Sequence, residues 1–261
     1  MSGAELLSAL GTPARAAARA LLAPRYAIDG FQPLRGWMNN EYARARFGRS
    51  YMWRIWLLFD CKDLEVLEKL INDGQDEEVL ETRDAKLKQF KLVTLVGALL
   101  ATMALQALSL PALAEATFLA RASFIVSTML SLLATFFTLI QQRELGVIRD
   151  ARTFRRWLSN GIQYYNARER LVWQSSLTSL TLVEAPYELM SLAVASFVAG
   201  MSAYVWEVWK DRLEAQKEQG LDGVAVVVYF AVATGFTFTM FPVLLGLKDR
   251  EESVYRKSAE M

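Results

Sequence analysis

The sequence offers few side chains that could carry out chemistry. It contains no histidine and one cysteine, Cys61, which excludes zinc sites built from His and Cys, a Cys-His nucleophile and a disulfide within the chain. It also lacks the Rossmann glycine motif, the P-loop and the nucleophile elbow of the hydrolases. We therefore predict that the protein is not an enzyme and has no catalytic, cofactor-binding or metal-binding residues.

The ionisable residues within the apolar segments all lie close to segment ends. Lys91 and Glu188 are expected at one membrane surface, and Arg121 and Glu207 at the other. A charge near the bilayer centre costs at least about 2.5–3.5 kcal/mol, and ion-coupled transporters commonly keep an acidic residue there. This distribution disfavours such a transporter. We predict an ion pair between Arg121 and Glu207; the alternative is that Arg121 reaches the membrane surface unaided.

Gln106 is the deepest strongly polar side chain of the predicted spans. We interpret it as an amide that bonds another helix. The alternative is that it lines a pore formed by several subunits, where amides facing their symmetry mates would form a ring.

Small residues recur four apart in every predicted span. Side chains of this size let helix backbones approach closely, and hydroxyl groups bond across the contact. We interpret these stripes as packing surfaces of a tight helical bundle rather than as pore linings. The first span carries Thr94, Ala98 and Thr102; the others carry Ser123, Ser127, Ser131 and Thr135, then Ser191, Ala195 and Ala199, then Ala231 and Gly235.

Four apolar segments organise the rest of the chain. Hydrophobic side chains make up 53% of the 261 residues, and the mean hydropathy is +0.18. Each segment is long enough to cross a hydrocarbon core of roughly 30 Å as a helix. The short connection between the first two predicts a transmembrane hairpin at 90–140, and 186–247 is predicted to be the second transmembrane pair. The four spans are 90–110, 118–140, 187–209 and 223–247.

The positions of Lys and Arg predict the orientation of the spans. They crowd the sequence before the first span, between the second and third, and after the fourth, whereas the opposite side has only Lys210, Arg212 and Lys217. The positive-inside rule then places both termini in the cytosol, or in the matrix if the membrane is the inner mitochondrial membrane. The identity of the membrane stays open.

The segments outside the spans are predicted to be tails and helices. Residues 1–40 form an Arg-rich tail, mobile or lying on a surface, with a targeting role as the alternative, and 248–261 form a cytosolic tail. Residues 41–89 form a cytosolic helical region that begins with a basic-aromatic amphipathic helix over 41–71. This helix is expected to lie on the membrane surface or, equally, to pack on the protein's own cytosolic parts. Its proposed surface residues are Arg49, Trp53, Arg54 and Trp56.

Further helices are predicted to extend the spans. One helix is expected to rise from Glu77 through the first span without interruption, and the second span is expected to continue as helix to Leu158. Residues 141–185 are interpreted as a cytosolic helical loop with another helix over 162–184. Pro186 then begins the third span, since proline suits the first turn of a helix.

These features together predict an all-α, polytopic integral membrane protein with four transmembrane helices and helical cytosolic extensions. A net charge of +1 gives no footprint for nucleic acid. We expect a non-enzymatic structural, adaptor or assembly component, whose partners are the lipid bilayer and either copies of itself or another membrane protein. The alternative function is an ion channel or transporter formed by an oligomer.

Overall fold

The computed structural model describes residues 40–53, 60–110, 113, 118–166 and 169–215, and these are mostly helical. Six helices, a short 3-10 turn and a two-stranded hairpin follow one another along the described residues. The elements are α1 (Glu41–Phe47), the 3-10 turn (Arg49–Trp53), α2 (Cys61–Asn72), α3 (Asp76–Ala107), α4 (Phe118–Val147), α5 (Ala151–Leu158), β1 (Ser159–Tyr165), β2 (Leu171–Ser175) and α6 (Leu177–Ala215).

Three of these helices are long and apolar enough to cross a membrane. The candidate segments are α3 with 32 residues, α4 with 30, and Leu177–Lys210 of α6 with 34. At a rise of about 1.5 Å per residue, each exceeds the roughly 30 Å of a hydrocarbon core. They coincide with the first three predicted spans. The predicted fourth span, 223–247, lies outside the described residues, as do the C-terminal tail and all but the last residue of the N-terminal tail.

The helix α3 continues without a break from its polar start into its apolar segment, as the sequence predicted. Asp76, Glu77 and Glu78 occupy the first turn, where carboxylates interact favourably with the positive end of the helix dipole. The helix α3 therefore begins in a polar segment and continues into the apolar segment.

The single helix predicted over 41–71 is wrong. α1 ends at Phe47 because Gly48 adopts a φ of 68°, and its backbone amide donates to the carbonyl of Arg44 at 3.0 Å. Glycine adopts a positive φ at little cost, so it commonly ends a helix. The next α-helix among the described residues begins at Cys61.

The helix predicted to continue from the second span to Leu158 is interrupted. α4 ends at Val147, and Asp150 then begins α5 by accepting a hydrogen bond from the backbone N of Thr153 at 2.8 Å. An aspartate cap of this kind satisfies one of the free amides at a helix start. Hydrogen bonds from Thr153 also hold the pKa of the Asp150 carboxyl below its usual range. α5 is therefore a separate helix with its own cap.

The helix predicted over 162–184 is wrong in its first part. There β1 and β2 form an antiparallel pair with Tyr164 opposite Val172 and Tyr165 opposite Leu171, whereas the residues from Leu177 onward are helical and belong to α6. Leucine and serine residues at helical spacing favoured a helix in this segment, so the hairpin was not predicted. Both strands nevertheless contain aromatic and β-branched residues, which pack well on a pleated surface. They are Ile162, Tyr164 and Tyr165 in β1, and Val172 and Trp173 in β2.

Pro186 does not begin a helix but lies inside α6. Proline has no N–H, so the carbonyl of Leu182, four residues earlier, loses its partner within the helix. Gln141 of α4 replaces that partner, because its side-chain Nε2 donates to the carbonyl of Leu182. Membrane helices tolerate proline where a neighbour satisfies the freed carbonyl, and α6 therefore continues through Pro186.

The described residues divide into two compact units. The first unit comprises those within 40–96 and 133–188, and the second those within 97–132 and 189–215. In the second unit, Phe124 of α4 packs against Phe197 of α6 with ring centroids 5.8 Å apart. The core of the first unit combines residues of α2, α3, α4, α5 and α6, namely Leu70, Ile71, Val79, Phe90, Leu145, Phe154, Leu158 and Val183.

The bond from Gln141 to Leu182 generates a prediction about Pro186. Gln141→Leu should destabilise the protein by about 1–3 kcal/mol, because it leaves the partly buried carbonyl of Leu182 without a partner. In a Pro186→Ala background the new backbone N–H can bond the Leu182 carbonyl, so the same substitution should cost less, with a coupling of roughly 0.5–3 kcal/mol. Thermal unfolding in detergent measures both effects.

Gln142→Leu provides the matched control, since Gln142 donates to Thr94 Oγ1 at 3.1 Å and does not bond the carbonyl that Pro186 leaves free. Its cost should be the same in the wild-type and the Pro186→Ala backgrounds. Strictly additive effects of the Gln141 and Pro186 substitutions would contradict the role assigned to Gln141.

Candidate functional site

A buried ion pair joins α1 to α2 in the first unit. Arg46 Nη1 lies 3.3 Å from Glu68 Oε2, and the two side chains are only 3% and 8% exposed. The guanidinium also lies over the rings of Tyr42 and Phe47, at 5.8 and 5.2 Å from their centroids. A buried pair needs additional hydrogen bonds to compensate for lost hydration, and its surroundings supply them.

Tyrosine and serine side chains complete this cluster. Tyr42 donates to Glu68 Oε2 at 3.2 Å and Tyr164 donates to Glu68 Oε1 at 2.5 Å. Arg46 Nη1 donates to Ser175 Oγ at 2.5 Å, and Ser175 Oγ in turn donates to the carbonyl of Leu64 at 3.0 Å. The cluster therefore links α1, α2, β1 and β2. The Nε of Arg46 is buried and has no partner among the described residues.

Both tyrosines of the cluster are held in the protonated form. Burial is the main cause that raises the pKa of Tyr42 and of Tyr164 above the usual range, and the nearby Glu68 carboxylate adds to it in both cases. At neutral pH they can donate hydrogen bonds but cannot act as bases. The arrangement can hold four elements together.

The sequence contained a signal for part of this cluster that was missed. Glu68 lies on the same helix face as Leu64 and Ile71, at the spacing that predicts an apolar stripe. A charged residue on such a stripe must be paired once it is buried. Its partner Arg46 cannot be found from local spacing, because the chain between them contains the break at Gly48.

A cleft of about 760 Å³ lies elsewhere in the first unit. Three arginines of α5 line it, together with residues from the end of α2, the start of β1 and Trp173 of β2. Arg155 is the anchored member, since it pairs with Asp76 and donates to the carbonyl of Gly74 at 2.6 Å. The side chains of Arg152 and Arg156 are exposed.

The serine stripe predicted on the second span lies partly on the buried face of α4. Ser127 and Ser131 are completely buried, and Ser123 and Thr135 are partly buried. Ser127 Oγ donates to the carbonyl of Ala193 on α6 at 2.8 Å, within the second unit. The hydroxyl groups of Ser131 and Thr135 are buried without a partner among the described residues.

The small residues predicted to pack on α6 lie beside its contact face. Ser191 and Ala195 are partly buried and Ala199 is exposed, whereas Ala193 and Gly200 are buried. A Cβ on Gly200 would meet the ring of Phe124 at 2.9 Å, so a glycine is needed where the two helices approach. Ala231 and Gly235 lie outside the described residues.

The predicted charge pair and the predicted membrane-surface residues are located as follows. Arg121 is exposed and Glu207 is partly buried, and among the ion pairs formed by the described residues none joins these two.

Trp53 is 83% exposed, and Arg49 lies in the same 3-10 turn. Arg54 and Trp56 lie outside the described residues.

The buried ion pair predicts a specific pattern of mutant stabilities. Arg46→Ala or Glu68→Ala should each destabilise the protein by about 3–5 kcal/mol, because each leaves one buried charge without its partner. Arg46→Met with Glu68→Leu should recover most of that loss. Thermal unfolding in detergent provides the measurement.

Lys69 and Glu65 serve as the control pair, since they lie 2.9 Å apart on α2 and are 67% and 42% exposed. Their double alanine cycle should give a coupling of only about 0.3–0.5 kcal/mol. Equal couplings for the two pairs would show that the Arg46–Glu68 cluster is not a structural centre.

Comparison with known proteins supplies no relative. No protein-family model, no curated protein and no solved structure matches this chain. Within the described residues, no group of three or more His, Cys, Asp and Glu side chains could hold a metal ion. Inference about function therefore starts from the residues described above.

Proposed function

We propose that the chain is a non-enzymatic, multi-pass membrane protein that acts as a structural, adaptor or assembly component by associating with copies of itself. In this proposal it has four spans, and both termini lie in the cytosol, or in the matrix if the membrane is the inner mitochondrial membrane. An oligomeric ion channel is the second candidate.

One face of α3 carries the proposal. Ala98, Thr102 and Gln106 are exposed and follow one another at four-residue spacing, on the side of the helix opposite its buried residues Val93 and Leu100. The side-chain amide of Gln106 has no hydrogen-bond partner among the described residues. The hydroxyl of Thr102 donates to the carbonyl of Ala98 at 2.9 Å, so the polar group of this stripe that still needs a partner is the Gln106 amide, on a helix apolar enough to span a membrane.

Such a stripe is unfavourable against lipid. An amide without a partner costs about 1–3 kcal/mol on protein scales and more in hydrocarbon, and polar side chains commonly join helices in membranes for this reason. A second copy that presents the same face could pair the two Gln106 amides. Self-association through α3 would therefore give the Gln106 amide a hydrogen-bond partner.

The ends of the long helices support the proposed topology. In the first unit, Tyr187 near the start of α6 donates to Gln89 of α3 at 3.1 Å, and Gln142 near the end of α4 donates to Thr94 of α3. The starts of the first and third predicted spans therefore meet the end of the second. This is the arrangement expected of successive antiparallel spans, and Lys and Arg are concentrated around these same ends.

The buried cluster supports a structural rather than a catalytic role. Arg46 and Glu68 are bonded to each other and to side chains of neighbouring elements. A catalytic acid or base must reach a substrate and exchange a proton with it, whereas these groups are enclosed by their partners. Their role in the proposal is to hold the first unit rigid.

The channel alternative is favoured by the same outward position of Gln106. If several copies met through α3 around a central axis, their Gln106 amides would form a polar ring of the kind that channels use for selectivity. The two candidates therefore share an interface and differ in whether ions pass.

The orientation can be tested with a cysteine placed beside Cys61. Cys61 itself is unsuitable, since it is 2% exposed and burial raises the pKa of its thiol to about 12, which leaves little reactive thiolate. Lys62→Cys with Cys61→Ser presents an exposed thiol instead. A membrane-impermeant maleimide should label it only after the membrane is permeabilised.

Ser109→Cys with Cys61→Ser is the matched control, because Ser109 is exposed at the opposite end of α3. It should be labelled in intact cells or organelles. The reverse pattern of labelling for the two positions would overturn the proposed orientation.

Self-association can be tested by oxidative cross-linking in membranes. Thr102→Cys with Cys61→Ser should give a cross-linked dimer, because Thr102 lies within the outward stripe. Met103→Cys should not, although Met103 is 51% exposed, because it projects about 100° away around the helix. Equal cross-linking at both positions, or none at position 102, would contradict the proposed interface.

Flux through reconstituted protein separates the two candidate functions. We expect no ion flux from wild-type protein in liposomes. Flux in the wild type that is lost in Gln106→Leu would favour the channel, whereas the cross-linking result applies to both candidates.

A further inference from the structure

The cleft beside α5 has an unusual distribution of charge. Arg152 and Arg156 line it from one face of the helix, four residues apart, and like charges at this spacing repel each other. No acidic side chain of the described chain lines the cleft, and within the described residues neither arginine forms an ion pair. Asp150 is the nearby acid, and its interaction with Arg156 is weaker than its bond to Thr153.

The walls of the cleft are held in place by other contacts. The side-chain amide of Asn72 accepts from the backbone N of Trp173 at 2.8 Å and donates to its carbonyl at 2.9 Å, which fixes β2 against the end of α2. Asn160 donates to Gln174 across the hairpin. Because Arg155 anchors α5, its neighbours Arg152 and Arg156 extend from a fixed helix. Together the two guanidinium groups present ten N–H donors in planar forks.

The cleft follows the second predicted span along the chain. About 10 Å of helix separates the end of that span, at 140, from Val147, the last residue of α4, which is 76% exposed. Arg152 follows five residues later, at most about 18 Å from Val147 even along an extended chain. Trp173 is 45% exposed and adjoins the exposed Leu171. Tryptophan beside arginine is typical of residues that lie at the level of lipid headgroups.

We propose that this cleft binds the phosphate of an anionic phospholipid headgroup at the membrane surface. Arg152 and Arg156 chelate the phosphate oxygens through paired N–H groups, the geometry in which arginine recognises phosphate best. Trp173 contacts the glycerol and upper acyl region. We favour lipid over free phosphate because the exposed Trp173 lines the same cleft as the two arginines.

This inference rests on the membrane placement within the proposed function, and the two can fail separately. Lipid binding in detergent does not depend on orientation or self-association, which the labelling and cross-linking experiments address. Conversely, the protein could assemble as proposed and have no lipid site.

The test uses purified full-length protein in a neutral detergent. Dioctanoyl phosphatidylglycerol should raise the melting temperature in a concentration-dependent way, since a ligand that binds only the folded state stabilises it. Dioctanoyl phosphatidylcholine and inorganic phosphate at the same concentration and ionic strength should not. Arg152→Gln with Arg156→Gln should weaken the apparent affinity by about tenfold or more, as expected when charge-assisted bonds are lost.

Two further variants distinguish a specific binding site from nonspecific attraction of the lipid by positive side chains. Lys62→Gln with Lys88→Gln removes two exposed positive charges outside the cleft and should leave the lipid effect unchanged. Arg152→Lys with Arg156→Lys keeps the charge but removes the planar forks, so it should weaken binding and provides a reading if the glutamine variant does not fold.

Four results would overturn the proposal. They are an absent lipid effect in the wild type, an equal effect from inorganic phosphate, an equal loss in the Lys62 and Lys88 variant, and wild-type affinity in the Arg→Lys variant.

Discussion

The hydrogen bond from Gln141 to the carbonyl of Leu182 is the contact on which the longest helix depends. Pro186 removes the backbone partner of that carbonyl, and a carbonyl that loses its hydrogen-bond partner on folding costs about 1–3 kcal/mol where it is buried. Since the bond is made, α6 can run from the end of β2 through its whole apolar segment as one helix. Its first turns pack with α1 and α2 through Leu177 and Leu180.

The sequence predicted the long helices well, because a long apolar run is a local signal that needs no knowledge of the partner. It did not predict the hairpin or the buried cluster, because both depend on distant residues. Arg46 reaches Ser175 across 129 positions, and no periodicity within either segment records that contact. Likewise, Pro186 was interpreted as a helix start because the side chain that compensates for it lies on another helix. Predictions from local sequence failed where a polar group distant in the chain determines the local structure.

The small-residue stripes show a related limit. Small residues every four positions indicate that a helix packs closely somewhere, but α6 carries them on more than one face. Ala193 and Gly200 form the contact, and the predicted Ala199 is exposed. The contact face follows from shape, since Gly200 lies where the ring of Phe124 leaves no room for a Cβ. The contact face of α4 was easier to predict, because the buried apolar residues Phe124 and Ala134 lie on the same face as Ser127 and Ser131.

Arginines serve two different purposes in the first unit, and their partners distinguish them. Arg46 is enclosed and bonded to Glu68, Tyr42 and Ser175, so its charge is already compensated and stabilises the fold. Arg155 is likewise paired and fixes α5 to the start of α3. Arg152 and Arg156 lie on the same short helix but are exposed, and the described residues supply no ion pair for them. Two like charges four residues apart on a helix repel each other, and Asp150 interacts with Arg156, so a bound anion of the kind we propose would reduce the repulsion that remains.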